Sequence, residues 1–238
     1  MSSLLLYNLY PRTIWKEVTT SLLSNVPHNK IVVHVSLPLT KIFQYYSIRK
    51  QVLQYDKVSE IYVSLNTKSA GEAKGFNLLR RNIDFTKYDI VTYMHSKGTS
   101  RKRKNTIPIK DWTEYMRHFV IDRFDLCLDA FAKGYNLYGV NLSDHVYARQ
   151  EHKKLFPHCK FIYQGNFVSV NLKNIRQEFL NTPCVHHYYS LERFWGTLCP
   201  IEKAYCAFQA NVDLYKTPFP PSCYRDGFSG KMQYGVRT

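Results

Sequence analysis

The sequence predicts an α/β protein built on a mainly parallel sheet with helices on both faces. Two observations carry that prediction. Short β-branched runs alternate with stretches of helical periodicity through the first hundred residues, and that alternation implies right-handed crossovers between parallel strands. The composition, 45% hydrophobic and 21% charged over 238 residues, supports a packed core and one domain of generous size spanning 1–238.

The elements follow in order. Leu4 to Tyr7 reads as a strand stopped near Pro11. Thr13 then stands where a helix cap would, ahead of Ile14, Val18, Leu22 and Leu23 at helical spacing. Ile31 to Val35 is a β-branched run and so a second strand. A helix is expected from Thr40 to Gln54, a third strand at Ile61–Leu65, a helix over 72–83, and a fourth strand at Ile90–Met94. A long helix is expected from Asp111 to Ala132, ended by Gly134. Leu137–Val140 reads as a strand, the polar, His-rich stretch 141–160 as a loop or lid, and Phe161–Val170 as a strand interrupted by Gly165. A helix starts near Leu172.

Ligands of such sheets bind beyond the C-terminal strand ends. That rule nominates Asn8 to Tyr10, Ser36–Leu37, Asn66–Thr67 and His95-Ser96-Lys97. Lys97 directly follows a buried strand. It is a point charge beside Gly98, which allows close backbone approach, and beside the hydroxyls of Thr99 and Ser100. That set suits a diphosphate; a solvated turn is the plain alternative. Arg101, Lys102, Arg103, Lys104 and Lys110 extend the basic loop.

The formal net charge of +15 attracts anions, whether nucleic acid, anionic membrane or phosphorylated small molecules. Nineteen tyrosines suit stacking on sugars or bases. A basic nucleic-acid-binding module is therefore the alternative class, but no RNP, KH, zinc-finger or helix-turn-helix pattern appears. No segment has the amphipathic strength of a membrane anchor, so membrane contact would be peripheral. The apolar run Leu4-Leu5-Leu6 is far shorter than a secretory signal core. The six cysteines form no C-x-x-C pair, so reduced, mostly buried thiols in a cytosolic protein are expected. Cys184, His186 and His187 match no common zinc spacing.

Tyr93-Met94-His95-Ser96-Lys97-Gly98 resembles the "YLHTKG" stretch of a glycosyltransferase-like family related to viral capsid-glycan, capsular-polysaccharide and rhamnan-synthesis enzymes. Gly71-Glu72 with Asn77-Leu78-Leu79 is similar to that family's "E-x-x-T-L-x-x-L", with Lys74-Gly75 in place of Pro-Thr. Asp111-Trp112 with Met116 is similar to "D-W-R-x-x-M", with Thr113 in place of the Arg. Gly139-Val140-Asn141 matches "G-V-N", Tyr163 to Phe167 is similar to "H-Y-S-G-N-F-W-W" with Val168-Ser169 in place of the aromatic pair, and Leu191 to Gly196 is similar to "A-E-x-W-I-G". These ordered matches span 71–196.

The resemblance implies a GT-A-like fold, with a nucleotide-sugar half over about 1–100 and an acceptor-binding, catalytic half over about 101–238. It implies sugar transfer from a nucleotide diphosphate, UDP being the commonest, to a glycan or glycoside in the cytoplasm, of a host cell if the source is viral. Many such enzymes hold Mn²⁺ or Mg²⁺ with an Asp-x-Asp after the fourth strand. Here that place reads His95-Ser96-Lys97, so no metal is required by these residues and Lys97 is expected to replace it. Glu192 aligns with the family's late Glu and is the first candidate base for an inverting reaction; Asp144 and Asp213 are weaker ones. Donor contacts are expected from Asn8, Tyr10, Asn66, Glu72, Asn77, His95, Ser96, Lys97 and Gly98. Acceptor contacts are expected from Gly165, Asn166, Phe167 and Trp195; Trp112 reads as core.

Overall fold

The computed structural model describes residues 1–67, 69–99, 106–144 and 150–225, with side chains from 107 and 153 onward in the latter two stretches. Its strands are β1 (Ser3–Leu9), β2 (Lys30–Leu37), β3 (Val58–Leu65), β4 (Ile90–His95), β5 (Leu137–Gly139), β6 (Leu142–Ser143), β7 (Ile162–Tyr163), β8 (Val168–Asn171) and β9 (Ala204–Cys206). The helices are α1 (Trp15–Leu23), α2 (Tyr45–Val52), α3 (Ala73–Asn82), α4 (Thr106–Arg117), α5 (Phe124–Ala132), α6 (Gln150–Leu155), α7 (Leu172–Asn181) and α8 (Ser190–Leu198).

Seven strands form one sheet in the order β3-β2-β1-β4-β8-β5-β9, and β6 pairs with β7 apart from it. Neighbours from β3 to β4 are parallel, as are β5 and β9, while β8 runs antiparallel to both β4 and β5. The mainly parallel sheet expected from the sequence is present.

Alternation along β1 explains the two layers. Successive side chains point to opposite faces of a strand. Leu5, Tyr7 and Leu9 therefore join the core formed with α1, α4 and α5. Leu4 and Leu6 join the core formed with α3, α7 and α8. All of β1 is buried, which is why it reads as a continuous apolar run.

Four local expectations are corrected. Thr13 does not cap α1. It takes a positive φ of 48° and its hydroxyl donates to the Thr99 carbonyl at 2.7 Å, so it ties the loop after β1 to the loop after β4. The helix expected over 40–54 opens as a 3-10 turn, Leu39–Gln44, before α2. The long helix over 111–132 is divided by a π-helical turn at His118–Asp122 and by Arg123, whose φ/ψ of −101°/48° breaks the ladder. That turn buries the consecutive Phe119, Val120 and Ile121, of which the β-branched pair favours a standard helix least. The strand over 161–170 is two strands in different sheets, because Gly165 and Asn166 both take positive φ, 95° and 66°.

The segment 141–160 contains β6 and α6; the part of the expected lid at 145–149 lies outside the described residues. So do Ser100 and the basic residues 101–104 of the loop after β4. Among the described residues no helix is long and apolar enough to cross a membrane. The cysteines are free, four of them buried, with Cys206 partly buried and Cys223 exposed.

Candidate functional site

The parallel register sets the site. Asn8 of β1 lies level with His34 of β2 and His95 of β4, all near the C-terminal edge. Just beyond, Lys97 N donates to His95 O at 2.8 Å and Ser96 N to Asn8 O at 3.0 Å, so the chain turns sharply as β4 ends. Ser96 Oγ accepts from Tyr10 N at 2.7 Å, and Thr99 Oγ1 donates to Ser96 O at 2.9 Å. The Ser96 and Thr99 hydroxyls thus hold the loop's shape; they are buried and do not supply the free donors the sequence suggested. Gly98 takes φ 84°, and a Cβ there would stand 2.6 Å from Ile109 Cγ2. Glycine is demanded by backbone and packing together.

A carboxylate hub stands beside this turn. Glu72 sits at the N-terminus of α3, where the helix dipole favours an anion. His95 contacts Glu72 Oε1 through Nδ1 and the Gly165 carbonyl through Nε2 at 3.1 Å. Both ring nitrogens face oxygen atoms of the hub. Glu72 Oε2 accepts from the Tyr93 hydroxyl at 3.0 Å and from Asn166 Nδ2 at 2.8 Å. Asn166 Oδ1 in turn accepts from the Trp195 indole at 2.5 Å. Burial alone would push the Glu72 carboxyl up, but His95, the Tyr93 hydrogen bond and the Lys97 charge hold it below its ordinary value. Burial and the neighbouring Glu72 raise the Tyr93 phenol well above its ordinary value.

Lys97 and Glu192 complete the cluster. The Lys97 ammonium lies 3.7 Å from the centroid of the Trp112 ring and 5.7 Å from that of Tyr215, a cation–π setting. Its field reaches both Glu72 and Glu192. Glu192, in the first turn of α8, is raised above its ordinary value by burial, against the opposing pull of Lys97. Helix α8 places it firmly: Leu191, Phe194, Trp195 and Leu198 are buried, and a Cβ on Gly196 would stand 1.9 Å from the Phe161 carbonyl oxygen.

The structure therefore brings Glu72, His95, Lys97, Gly165, Asn166 and Glu192 together. Trp195 and Phe167 are 0% and 1% exposed. The expectation that Trp195 stacks on a sugar is corrected: its ring packs against Phe76 and Tyr93, and it orients Asn166 instead. Asn77 is also corrected, since its amide donates to the Cys184 carbonyl at 2.6 Å and it borders a cavity of about 310 Å³ with Arg80 and Arg81, apart from Lys97. Asn8 is buried and accepts at Oδ1 from His34 Nδ1 at 2.7 Å. Asn66 Oδ1 accepts from Ser36 at 3.0 Å. Asp144 is exposed just after β6, and Asp213 accepts from Tyr215 N at 3.0 Å. Trp112 is 2% exposed, core as expected, with one face under Lys97.

Sequence reasoning missed Tyr93 and Tyr215. Tyr93 was legible, since it is two residues before His95 and so shares its face of β4. Tyr215 lies 118 positions from Lys97 and carries no pattern. Other matched residues turn out to stitch the fold. Asp111 accepts from Phe219 N at 3.0 Å, and Asn141 Oδ1 accepts from Ala210 N at 2.8 Å.

Among the described residues no group of three or more His, Cys, Asp or Glu side chains is placed to hold a metal ion. The donor chemistry agrees. Both Glu72 oxygens are already engaged, and His95-Ser96-Lys97 offers no carboxylate to a hard cation.

No family model matches the chain, and no curated protein does. Among solved structures, the mannosyltransferase PcManGT from Pyrobaculum calidifontis, in complex with GDP-Man and Mn2+, is similar at 10% identity with a TM-score of 0.38. The similarity covers 79% of this chain and 50% of that one, so the chain spans half the length of that enzyme.

Proposed function

We propose that the chain transfers a sugar from a nucleotide diphosphate, with UDP the first choice of carrier, to a glycan or glycoside hydroxyl in the cytoplasm. One observation carries the reading. A cation held on aromatic faces and a half-buried carboxylate within reach of its field stand at the C-terminal edge of the parallel strands, the ligand edge of such sheets.

In this reading Glu192 takes the proton of the acceptor hydroxyl as that oxygen bonds to the anomeric carbon. The bond from that carbon to the phosphate oxygen breaks, and the nucleoside diphosphate leaves with the electron pair. A carboxylate raised toward neutrality is a better proton acceptor at working pH. Lys97 offsets the charge that grows on the departing phosphate. Glu72 and His95 position the turn and Asn166 rather than react. Asn8, Tyr10, Asn66 and Gly98 shape the donor edge, Gly165 and Asn166 the acceptor side. Asp144 is the reserve base.

A thermal-shift panel of nucleoside diphosphates and an oligonucleotide, each with and without Mn²⁺, tests the class. Stabilisation by UDP in EDTA supports the reading. Stabilisation by the oligonucleotide alone overturns it in favour of nucleic-acid binding, and sugar transfer abolished by EDTA and restored by Mn²⁺ overturns the role of Lys97.

A further inference from the structure

Helical segments of folded proteins turn their apolar residues inward. The segment after β2 does so only in part. Ile48 and Val52 of α2 are buried, and Tyr45 packs against the same core. Leu39, Ile42, Phe43 and Tyr46, spaced by three and four residues, are 71%, 42%, 100% and 76% exposed. Residues three or four apart lie on one side of a helical backbone, so these four form an apolar surface with no described residue covering Phe43.

The charges within the segment have one sign. Residues 38–54 contain Lys41, Arg49 and Lys50 and no Asp or Glu, and Arg49 and Lys50 are exposed. The whole chain carries +15. Position adds a third observation. The segment follows β2, whose C-terminal end lies on the same edge as those of β1 and β4. The neighbouring loop after β1 also exposes Arg12 and Ile14, and it is tied to the Lys97 loop through Thr13 and Thr99.

We propose that Leu39–Tyr46, flanked by Arg49 and Lys50, is a docking surface for an anionic lipid membrane. Aromatic and aliphatic side chains enter the headgroup–acyl boundary, and the basic side chains meet anionic headgroups. A protein partner would have to match this apolar surface with acidic groups; a bilayer supplies both without shape complementarity. Docking there turns the edge that carries Lys97 and Glu192 toward the lipid surface, where a lipid-linked glycan would present its hydroxyl. The docking itself is independent of the sugar-transfer reading.

The test is co-sedimentation of the full chain with vesicles of phosphatidylcholine alone or mixed with phosphatidylglycerol. Binding is expected to the mixed vesicles and to weaken as salt rises. Phe43→Ser with Leu39→Ser should reduce it about tenfold or more. Arg49→Gln and Lys50→Gln should reduce it about fivefold per charge. The exposure of these side chains leaves the fold intact, which circular dichroism checks, and UDP binding should persist in every variant. The proposal is overturned if the wild-type chain stays in the supernatant with mixed vesicles, or if the Phe43 variant binds as the wild type does. It is equally overturned if sedimentation equilibrium shows Phe43→Ser dissolving a dimer of this chain while vesicle binding is absent throughout.

Discussion

Glu72 receives the imidazole of His95 on one carboxylate oxygen while its other oxygen accepts from Tyr93 and Asn166. One carboxylate thus links the N-terminus of α3, the end of β4 and the turn between β7 and β8. Hydrogen bonds to a charged group are worth about 1.5–3 kcal/mol each. Glu72→Gln keeps the shape but replaces an acceptor oxygen with a donor facing donors. Denaturant unfolding should report a loss on the order of 2 kcal/mol, with turnover falling alongside. Unchanged stability would remove Glu72 from the centre of this arrangement.

Lys97 is asked to meet a diphosphate. Lys97→Met keeps the stem over Trp112 and removes the charge. Calorimetry should then show nucleoside diphosphate affinity reduced roughly 10- to 100-fold, the worth of one charge-assisted contact, with Lys97→Arg restoring part of it. Equal affinity in the Met variant would place the phosphates elsewhere.

Glu192 carries a pH signature. Burial raises its folded value above that of the unfolded chain. Its stabilising contribution is therefore present below the unfolded carboxylate value and is lost as pH rises through the folded value. Glu192→Gln should melt higher than the wild type at neutral pH, with the gap closing in acid. The same variant should lose turnover by a factor on the order of 10² to 10⁴ while still binding donor. Wild-type turnover should fall in acid through a value above the usual carboxylate range. A Gln variant with near-normal turnover shifts the base to Asp144.

Two buried histidines contribute to acid sensitivity. Burial lowers His28 to about 3 and His34 to about 4, where each ring bonds a neutral neighbour, Thr92 and Asn8. A depressed histidine contributes stability present above the unfolded value, about 6.5, and lost as pH falls through the folded one. Unfolding free energy should decline below pH 6.5 toward pH 4. His34→Gln should flatten that slope in denaturant titrations at several pH values; an unchanged slope would assign the acid sensitivity elsewhere.

Gly165→Ala is expected to fail sterically. A Cβ there would stand 2.3 Å from Met116 Sδ and 2.9 Å from Trp112 Nε1, at φ 95°. The destabilisation should exceed about 1 kcal/mol. Because Gly165 O faces His95 and Trp112 carries Lys97, nucleotide affinity should drop too. A variant as stable as the wild type would show that the turn relaxes freely.

Much of the fold was legible from local pattern. β1, β2 and β4 are buried on both faces, so they read as mostly apolar runs and their C-terminal ends could be nominated as a ligand edge. His95 and Lys97 followed from that nomination. Trp195 misled because an aromatic side chain in a site-bearing segment looks the same in sequence whether it faces a ligand or, as here, a neighbouring Asn. Thr13 misled because a hydroxyl before a helix pattern is also free to bond a distant carbonyl.

By itself the chain's order of residues determined the parallel α/β layering and which strand ends carry polar groups, because strand and helix periodicities are properties of neighbours in sequence. Only the tertiary structure decided that Glu72, His95 and Asn166 share one carboxylate, that Tyr215 comes to lie by Lys97, and that Phe43 is left in solvent. Those facts depend on pairing between residues tens of positions apart, and on which apolar side chains the finished layers have no room to cover.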